Sequence, residues 1–321
     1  VEREGTPNRR NVVLVFMESM SANLMGTFGS DKKLTPYLDS LYQQSLSFSH
    51  FYSSGIHTNH GIYSTLYSFP AIMKRNAMKG SVIPVYSGLP TVLQENGYCN
   101  LFFMTHESQY DNMNAFLRTN GFDEIYAQEN YPSEKVVNSF GVQDDFMYQY
   151  ALPILNERAG TGNPFFSVLL SISNHPPYVI PPYFHPHSDV LEEQIVEYAD
   201  WSIRQFMQAA EKQPWFDNTI FVFLGDHGKM VGTPECEMPQ SYNHIPLMIY
   251  GKDIKPGVYD GFGGQVDVSP TLLGLLNISY LQNNFGVNLL EEERPCMFFT
   301  ADNLIGARDS VNMFIYSPDS Q

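Results

Sequence analysis

The 321 residues contain no apolar run near the roughly 20 residues that a membrane-crossing helix needs, and no apolar core of a signal peptide. As given, the chain is expected neither to span a membrane nor to address itself to one. Cysteine is scarce: Cys99, Cys236 and Cys296 cannot all pair within one chain and lack the spacing of metal-ligand pairs. They leave the compartment open, and each is expected to be a buried or inert thiol. Basic residues are also few, 18 Lys and Arg against 34 Asp and Glu, for a formal net charge of -16. With no basic stripe to neutralise phosphates, the composition argues against nucleic acid as a partner. The same acidic field repels anionic lipid head groups, although salt screens it beyond about 8 Å. An anionic substrate therefore has to be attracted locally. No internal repeat or low-complexity tract occurs.

What the chain does have is a 43% hydrophobic content, ample for one large core. Residues 1–10 are polar and read as a linker, and the apolar pattern begins at Asn11. Val12 to Met17 and Ile220 to Leu224 are short, almost wholly apolar runs of the kind that form buried parallel strands. In open α/β sheets the ligand site lies beyond the carboxyl ends of the strands. Glu18, after the first run, and Asp226-His227, after the second, should therefore emerge at one edge although they are far apart in sequence. Thr58, in GIHTNHG, belongs to a loop between them. Carboxylates and imidazole are ligands for a divalent cation, and a bound cation would make the Thr58 hydroxyl nucleophilic. Either segment alone reads equally well as a helix N-cap or a turn; the two together favour a metal site.

Between these points, turn signals and hydrophobic periodicity divide the chain into alternating elements. A helix is expected after Thr35-Pro36, a strand over LSFSHFYSS, and a helix begun just after Thr58, with its N-terminus suited to a phosphate. Leu89 to Asn96 reads as a helix and YCNLFFMT as a strand carrying His106 at its end. Asp144 to Leu155 reads as a helix, and PFFSVLLSIS as a strand delivering Asn174-His175. The long amphipathic helix from Leu191 to Glu211 should place Trp201, Ile203 and Phe206 in the core. IPLMIYG reads as a further strand, Asp267 as a structural residue at a helix start, and CMFFTADN as an edge strand. His244, just before a strand on the same edge, could donate to a leaving oxygen or equally be a packed core residue. His57 and His60 flank Thr58, His185 and His187 fall in a loop read as solvated, and His50 reads as packed.

The strand leading to Glu18, LTPYLDSLYQQSLSFSHFYSSG, HTNHGIYSTLYSFP, SNHPPY and FLGDHG together resemble the alkaline phosphatase/sulfatase superfamily. Within it they are most similar to the lipoteichoic acid synthase-like phosphoglycerol transferases. The resemblance runs from about Asn11 to the helix after Asp267. Sulfatases carry a Cys or Ser in C/S-x-P-x-R; here His57-Thr58-Asn59-His60-Gly61 has no Cys, Pro or Arg, so formylglycine-dependent sulfate hydrolysis is not expected.

The resemblance implies an α/β fold, a doubly wound, mostly parallel central sheet flanked by helices. Residues 11–285 would form the catalytic domain and 286–321 a small C-terminal subdomain. It implies a metal-dependent transferase moving a phosphoglycerol group from a phospholipid such as phosphatidylglycerol to an acceptor hydroxyl, on a glycan or polyol phosphate, through a covalent phospho-threonine on Thr58. The cation would be held by Glu18, Thr58, Asp226 and His227, with Mn2+ expected first and Zn2+ or Mg2+ as alternatives. His175 and His106 match substrate-contacting positions. Such domains are usually joined to N-terminal transmembrane helices, which implies a cell-membrane protein with an extracytoplasmic catalytic domain. Phosphoethanolamine transfer, phosphodiester hydrolysis and a catalytically silent lipid-binding domain are the alternatives. One departure stands out: the Trp and Arg that come after the pocket His in the family are replaced by His106-Glu107-Ser108-Gln109-Tyr110-Asp111, with Arg118 nearby.

Overall fold

Strand β1 (Asn11–Met17) is buried along its whole length, with Val12, Leu14 and Phe16 facing one side of the sheet and Val13, Val15 and Met17 the other. That alternation without a polar face is what a strand covered on both sides requires. The computed structural model describes residues 1–320. β1 lies at the centre of an eight-stranded sheet with β2 (Leu46–Tyr52), β3 (Cys99–Phe103), β4 (Glu124–Tyr126), β5 (Phe165–Leu170), β6 (Thr219–Gly225), β7 (Leu247–Tyr250) and β8 (Gly257–Gly264), in the order β4-β3-β5-β1-β6-β7-β2-β8. Every pairing is parallel except the two made by β7, so β7 alone runs against the rest. The doubly wound, mostly parallel sheet expected from the sequence is therefore present, as a mixed sheet.

Helices cover both faces. On one, α2 (Thr58–Tyr67), α3 (Leu89–Glu95), α4 (Met113–Thr119) and α7 (Val268–Leu275) bury Ile62, Val92, Phe116 and Leu272 against Leu14 and Val222. On the other, α1 (Pro36–Gln44), α5 (Asp144–Ala159) and α6 (Leu191–Ala210) bury Leu38, Met147, Ile195 and Phe206 against Val15 and Phe223. Ile203 and Phe206 are core residues as expected, whereas Trp201 is half-buried against Phe184. A separate antiparallel sheet, β9 (Met297–Ala301), β10 (Leu304–Arg308) and β11 (Met313–Tyr316), packs near the end of β2 through Phe299, which stacks on Tyr52 at 5.4 Å.

The polar segment 1–10 lies along the exit of α7. Asn8 N–H donates to the Leu276 carbonyl at 3.2 Å, and Arg3 pairs with Glu291 at 2.8 Å. No helix among the described residues is long and apolar enough to cross a membrane.

Candidate metal and phosphoryl-transfer site

The carboxyl ends of β1 and β6 are adjacent in the sheet, with Met17 paired to Gly225, so Glu18 and Asp226 leave side by side. The Asp226 N–H donates to the Met17 carbonyl at 3.1 Å, fixing the two ends to each other. Glu18 N–H donates to Ser171 Oγ at 3.0 Å at the end of β5, and Ser19 Oγ donates to Glu18 Oε1 at 2.9 Å. Asp226 Oδ1 accepts the backbone N–H groups of Ser19 at 2.9 Å and His227 at 2.7 Å. That leaves Oδ2 facing Thr58, the first residue of α2. Thr58 Oγ1 lies 2.7 Å from Asp226 Oδ2 and 3.2 Å from Glu18 Oε2. His227 Nδ1 donates to the Gly228 carbonyl at 2.7 Å, so Nε2 is the nitrogen turned inward, 3.5 Å from Glu18 Oε1 and 3.4 Å from Asp226 Oδ2.

Two further residues hold Thr58 at this distance. Gly61 brings α2 against the GDHG turn: a side chain there would run into the backbone carbonyl of Asp226. Gln265, wholly buried after β8, donates from Nε2 to the carbonyls of Gly225 at 3.1 Å and Asp226 at 2.8 Å, while its Oε1 accepts the Ser54 N–H at 3.0 Å.

Glu18, Asp226 and His227 are all buried, and each offers a ligand atom within 4.8 Å of the others. Their charges are strongly coupled. Burial, followed by the Glu18 charge, pushes the Asp226 carboxyl up. Burial alone would raise Glu18 and lower His227, but the hydrogen bond and charge of His227 hold Glu18 down, and the Asp226 charge, then the bond to Glu18, carry His227 up. Two carboxylates this close need positive charge, which protons on Asp226 and His227 can supply. A divalent cation supplies it better, and three oxygens with one imidazole nitrogen are a suitable donor set. The residues fit the cation that the superfamily uses.

Glu18, Thr58 and His227 line a cavity of about 340 Å³, with Asp226 buried behind them. His106 and His175 line it. His106 Nδ1 donates to the Glu107 carbonyl at 2.9 Å and burial pulls its pKa down, so a neutral ring keeps its Nε2 lone pair free. His175 Nδ1 donates to the Pro176 carbonyl at 2.6 Å, and its ring packs on Phe140 at 4.3 Å. The structure does not bring His244 to the cavity. Its Nε2 donates to the Ser49 carbonyl at 2.8 Å and its ring lies between Phe28 and Tyr52, which is the packed alternative.

Other histidines and a cysteine depart from expectation. His50 is half-exposed beside Asp260, because β2 turns that side chain outward. His187 is exposed, as expected of a solvated loop, but is also tied down, by Glu197 and by the Lys32 carbonyl at 3.0 Å. Cys236 is exposed, in the loop after β6. His57 pairs with Asp302 at 2.6 Å at the cavity rim, whereas His60 points to the far side of α2 and donates to the Arg75 carbonyl at 3.0 Å. Arg118 is bonded to Asn114 on α4 and does not line the cavity.

Sequence reasoning placed Asn174 at this edge without giving it a role, and missed Lys229 and Tyr178. Lys229 Nζ donates to Asn174 Oδ1 at 2.7 Å and sits 5.6 Å from the Tyr178 ring centroid, and burial pulls its pKa down to about 8. A Lys directly after GDHG was the available signal, since a turn that aims two ligand side chains at the cavity carries the adjoining residue to the same edge. Asp111, also on the wall, is paired with Lys79 at 2.9 Å.

A family model described as Sulfatase matches residues 10–278. The lipoteichoic acid synthase-like protein YvgJ of Bacillus subtilis is 25% identical over 324 residues, covering 90% of this chain and 51% of that protein. This chain thus spans about half the length of the curated relatives it matches. A crystal structure of an alkaline phosphatase superfamily protein from Vibrio parahaemolyticus superposes with a TM-score of 0.91 at 29% identity, covering 100% of this chain and 80% of that one. The lipoteichoic acid synthase LtaP of Listeria monocytogenes superposes at 0.81 with 22% identity, covering 100% and 89%, and so shares the fold.

Proposed function

The chain belongs to the sulfatase family, on the lipoteichoic acid synthase-like branch of the alkaline phosphatase/sulfatase superfamily, and on that premise we propose that it transfers a phosphoglycerol group from a phospholipid such as phosphatidylglycerol to an acceptor hydroxyl through a covalent phospho-threonine on Thr58. The observation that carries this reading is the placement of Thr58 Oγ1, at the first position of α2 and 2.7 Å from Asp226 Oδ2 within the buried Glu18, Asp226 and His227 cluster.

Glu18, Thr58, Asp226 and His227 would hold a divalent cation, Mn2+ before Zn2+ or Mg2+, which when bound would supply Lewis-acid charge to the hydroxyl and to the transferring phosphoryl group. The N-terminus of α2 directs its free N–H groups at the same phosphate. Thr58 Oγ1 attacks phosphorus, its proton passes along the hydrogen bond to Asp226, and the bond to the diacylglycerol oxygen breaks, that oxygen taking a proton from solvent as it leaves. Phosphoglycerol then stays on Thr58 until an acceptor hydroxyl attacks from the vacated side and the Thr58 oxygen departs. His106 offers a neutral acceptor nitrogen to a glycerol or acceptor hydroxyl, and His175 and Lys229 face the phosphate. Water in place of the acceptor gives phosphodiester hydrolysis.

A glycerol head group suits the cavity better than an ethanolamine one. Outside the metal cluster the only carboxylate on the wall, among the described residues, is Asp111, and Lys79 already occupies it. The membrane and extracytoplasmic setting implied by the relatives is part of the same reading. Intact-mass spectrometry after incubation with phosphatidylglycerol tests it: a phosphoglycerol adduct mapping to Thr58 is expected. Turnover without any adduct on wild-type or acceptor-starved protein overturns the covalent step.

A further inference from the structure

Between Asp39 and Glu95 the chain has no acidic side chain, although the whole carries 34 of them and a net charge of -16. The residues that connect α2 to α3, 68–88, form neither helix nor strand, and contain Lys74, Arg75 and Lys79. Pins along this strap hold it in place. Met78 is buried, its carbonyl accepts Asn112 Nδ2 at 2.7 Å, the Arg75 carbonyl accepts His60 Nε2 at 3.0 Å, and the Tyr86 N–H donates to Asn120 Oδ1 at 2.7 Å. Between the pins, aliphatic side chains are left in solvent: Ile72 is 59% exposed, Val82 80% and Val85 78%. Lys79 bonds Asp111, so the middle of the strap borders the mouth of the catalytic cavity.

Exposed aliphatic side chains beside cations that no carboxylate pairs, here Lys74 and Arg75 among the described residues, are the two ingredients of interfacial binding, one for the acyl boundary and one for anionic head groups. The net charge of -16 opposes approach to such a surface, and the acid-free stretch that holds the strap opposes it least. We propose that the strap over residues 68–88 is a docking surface for an anionic phospholipid bilayer, seating the cavity mouth at the head-group layer. It goes beyond the transfer chemistry and does not need it: a lipid surface is recognised by the strap whether or not Thr58 becomes modified.

The test is co-sedimentation with vesicles of phosphatidylcholine alone and of phosphatidylcholine mixed one-to-one with phosphatidylglycerol, using Thr58→Ala protein so that turnover plays no part. Association with the anionic vesicles only, weakening with salt, is expected. Each basic side chain near an anionic leaflet contributes a factor of roughly five, so Lys74→Gln/Arg75→Gln should lower partitioning by ~25-fold. Val82→Ser/Val85→Ser should lower it by roughly tenfold, mostly in the part that salt does not remove. All of these side chains are exposed, and unchanged melting temperatures confirm folded variants. No association of the parent protein, equal association with both vesicle types, or unchanged partitioning of both double variants overturns the proposal. Vesicle association without an adduct on Thr58 in the wild-type protein counts against the transfer chemistry alone.

Discussion

Replacing Gly61 by Ala separates the stability of this fold from the geometry of its site. An added Cβ at Gly61 meets backbone atoms of Asp226, its carbonyl oxygen first. That backbone cannot yield easily: the Asp226 N–H is bonded to the Met17 carbonyl at 3.1 Å and its carbonyl accepts Gln265 Nε2 at 2.8 Å. Helix α2 has to retreat instead, by on the order of 1 Å, to restore van der Waals separation. Overpacking of this kind costs about 1–3 kcal/mol, and the better helix propensity of Ala returns about 1 kcal/mol, leaving a net loss of ~0–2 kcal/mol. The effect on chemistry is larger. Thr58 Oγ1, now 2.7 Å from Asp226 Oδ2, moves with the helix, and a misplacement of ~1 Å in a reacting group can cost ~100-fold in rate. The assay is the rate of Thr58 labelling by phosphatidylglycerol, monitored by intact mass, beside a melting curve. A Gly61→Ala protein that melts within a few degrees of wild type and labels at the wild-type rate refutes the argument that this glycine sets the Thr58 position.

Three further outcomes are expected of the same structure. Asp226→Ala should stay folded and lose bound metal and activity together, and full metal content by elemental analysis would show that the cation lies elsewhere. His175→Ala should lose about 1.5–3 kcal/mol of transition-state stabilisation, the scale of one hydrogen bond to a charged group, with metal content unchanged; His244→Ala, which removes only packing and a bond to Ser49, should lower the melting temperature and leave kcat/KM alone. Glu124 is held at about 2 by Arg158, against an ordinary value of 4.5, so its contribution is present above pH 4.5 and lost as pH falls toward 2. Because the pair is partly exposed, that contribution is about 1 kcal/mol; in urea unfolding the gap between wild type and Glu124→Gln should shrink from pH 5 to pH 3, and a constant gap speaks against the pair.

The central strands were legible because burial on both faces leaves a continuous apolar run, as in NVVLVFM and TIFVFLG, and the residues closing those runs are forced to one edge of the sheet. β8 was not legible. GVYDGFGG lies at the sheet margin, pairs only with β2 and is half exposed, so neither an apolar run nor a clean alternation marks it. β10 and β11, in a three-stranded sheet that buries one face lightly, were hidden for the same reason. His244 shows a different limit. Its position before β7 does fall at the edge that carries the site, because β7 runs opposite to its neighbours and starts where they end; which way the ring then turns depends on Phe28 and Tyr52, residues that sequence does not connect to it.

The least legible strand has the most specific part in building the site. β8 ends at Gly264, and the next residue is Gln265, whose amide bridges the loop before Thr58 and the turn that carries Asp226. Its task needs an acceptor toward the Ser54 N–H and two donor hydrogens toward the Gly225 and Asp226 carbonyls, a combination that among buried side chains of this length only an amide provides. A carboxylate would set a negative oxygen against two carbonyls, and an aliphatic side chain would leave three backbone groups without a partner, each at a cost of about 1–3 kcal/mol. Thr58 and the cluster of Glu18, Asp226 and His227 come from chain segments with no local reason to stay within hydrogen-bond reach of each other. Their spacing is held by the two features that neither segment could show on its own, the missing side chain at Gly61 and the amide of Gln265, both pressed against the same Asp226 carbonyl.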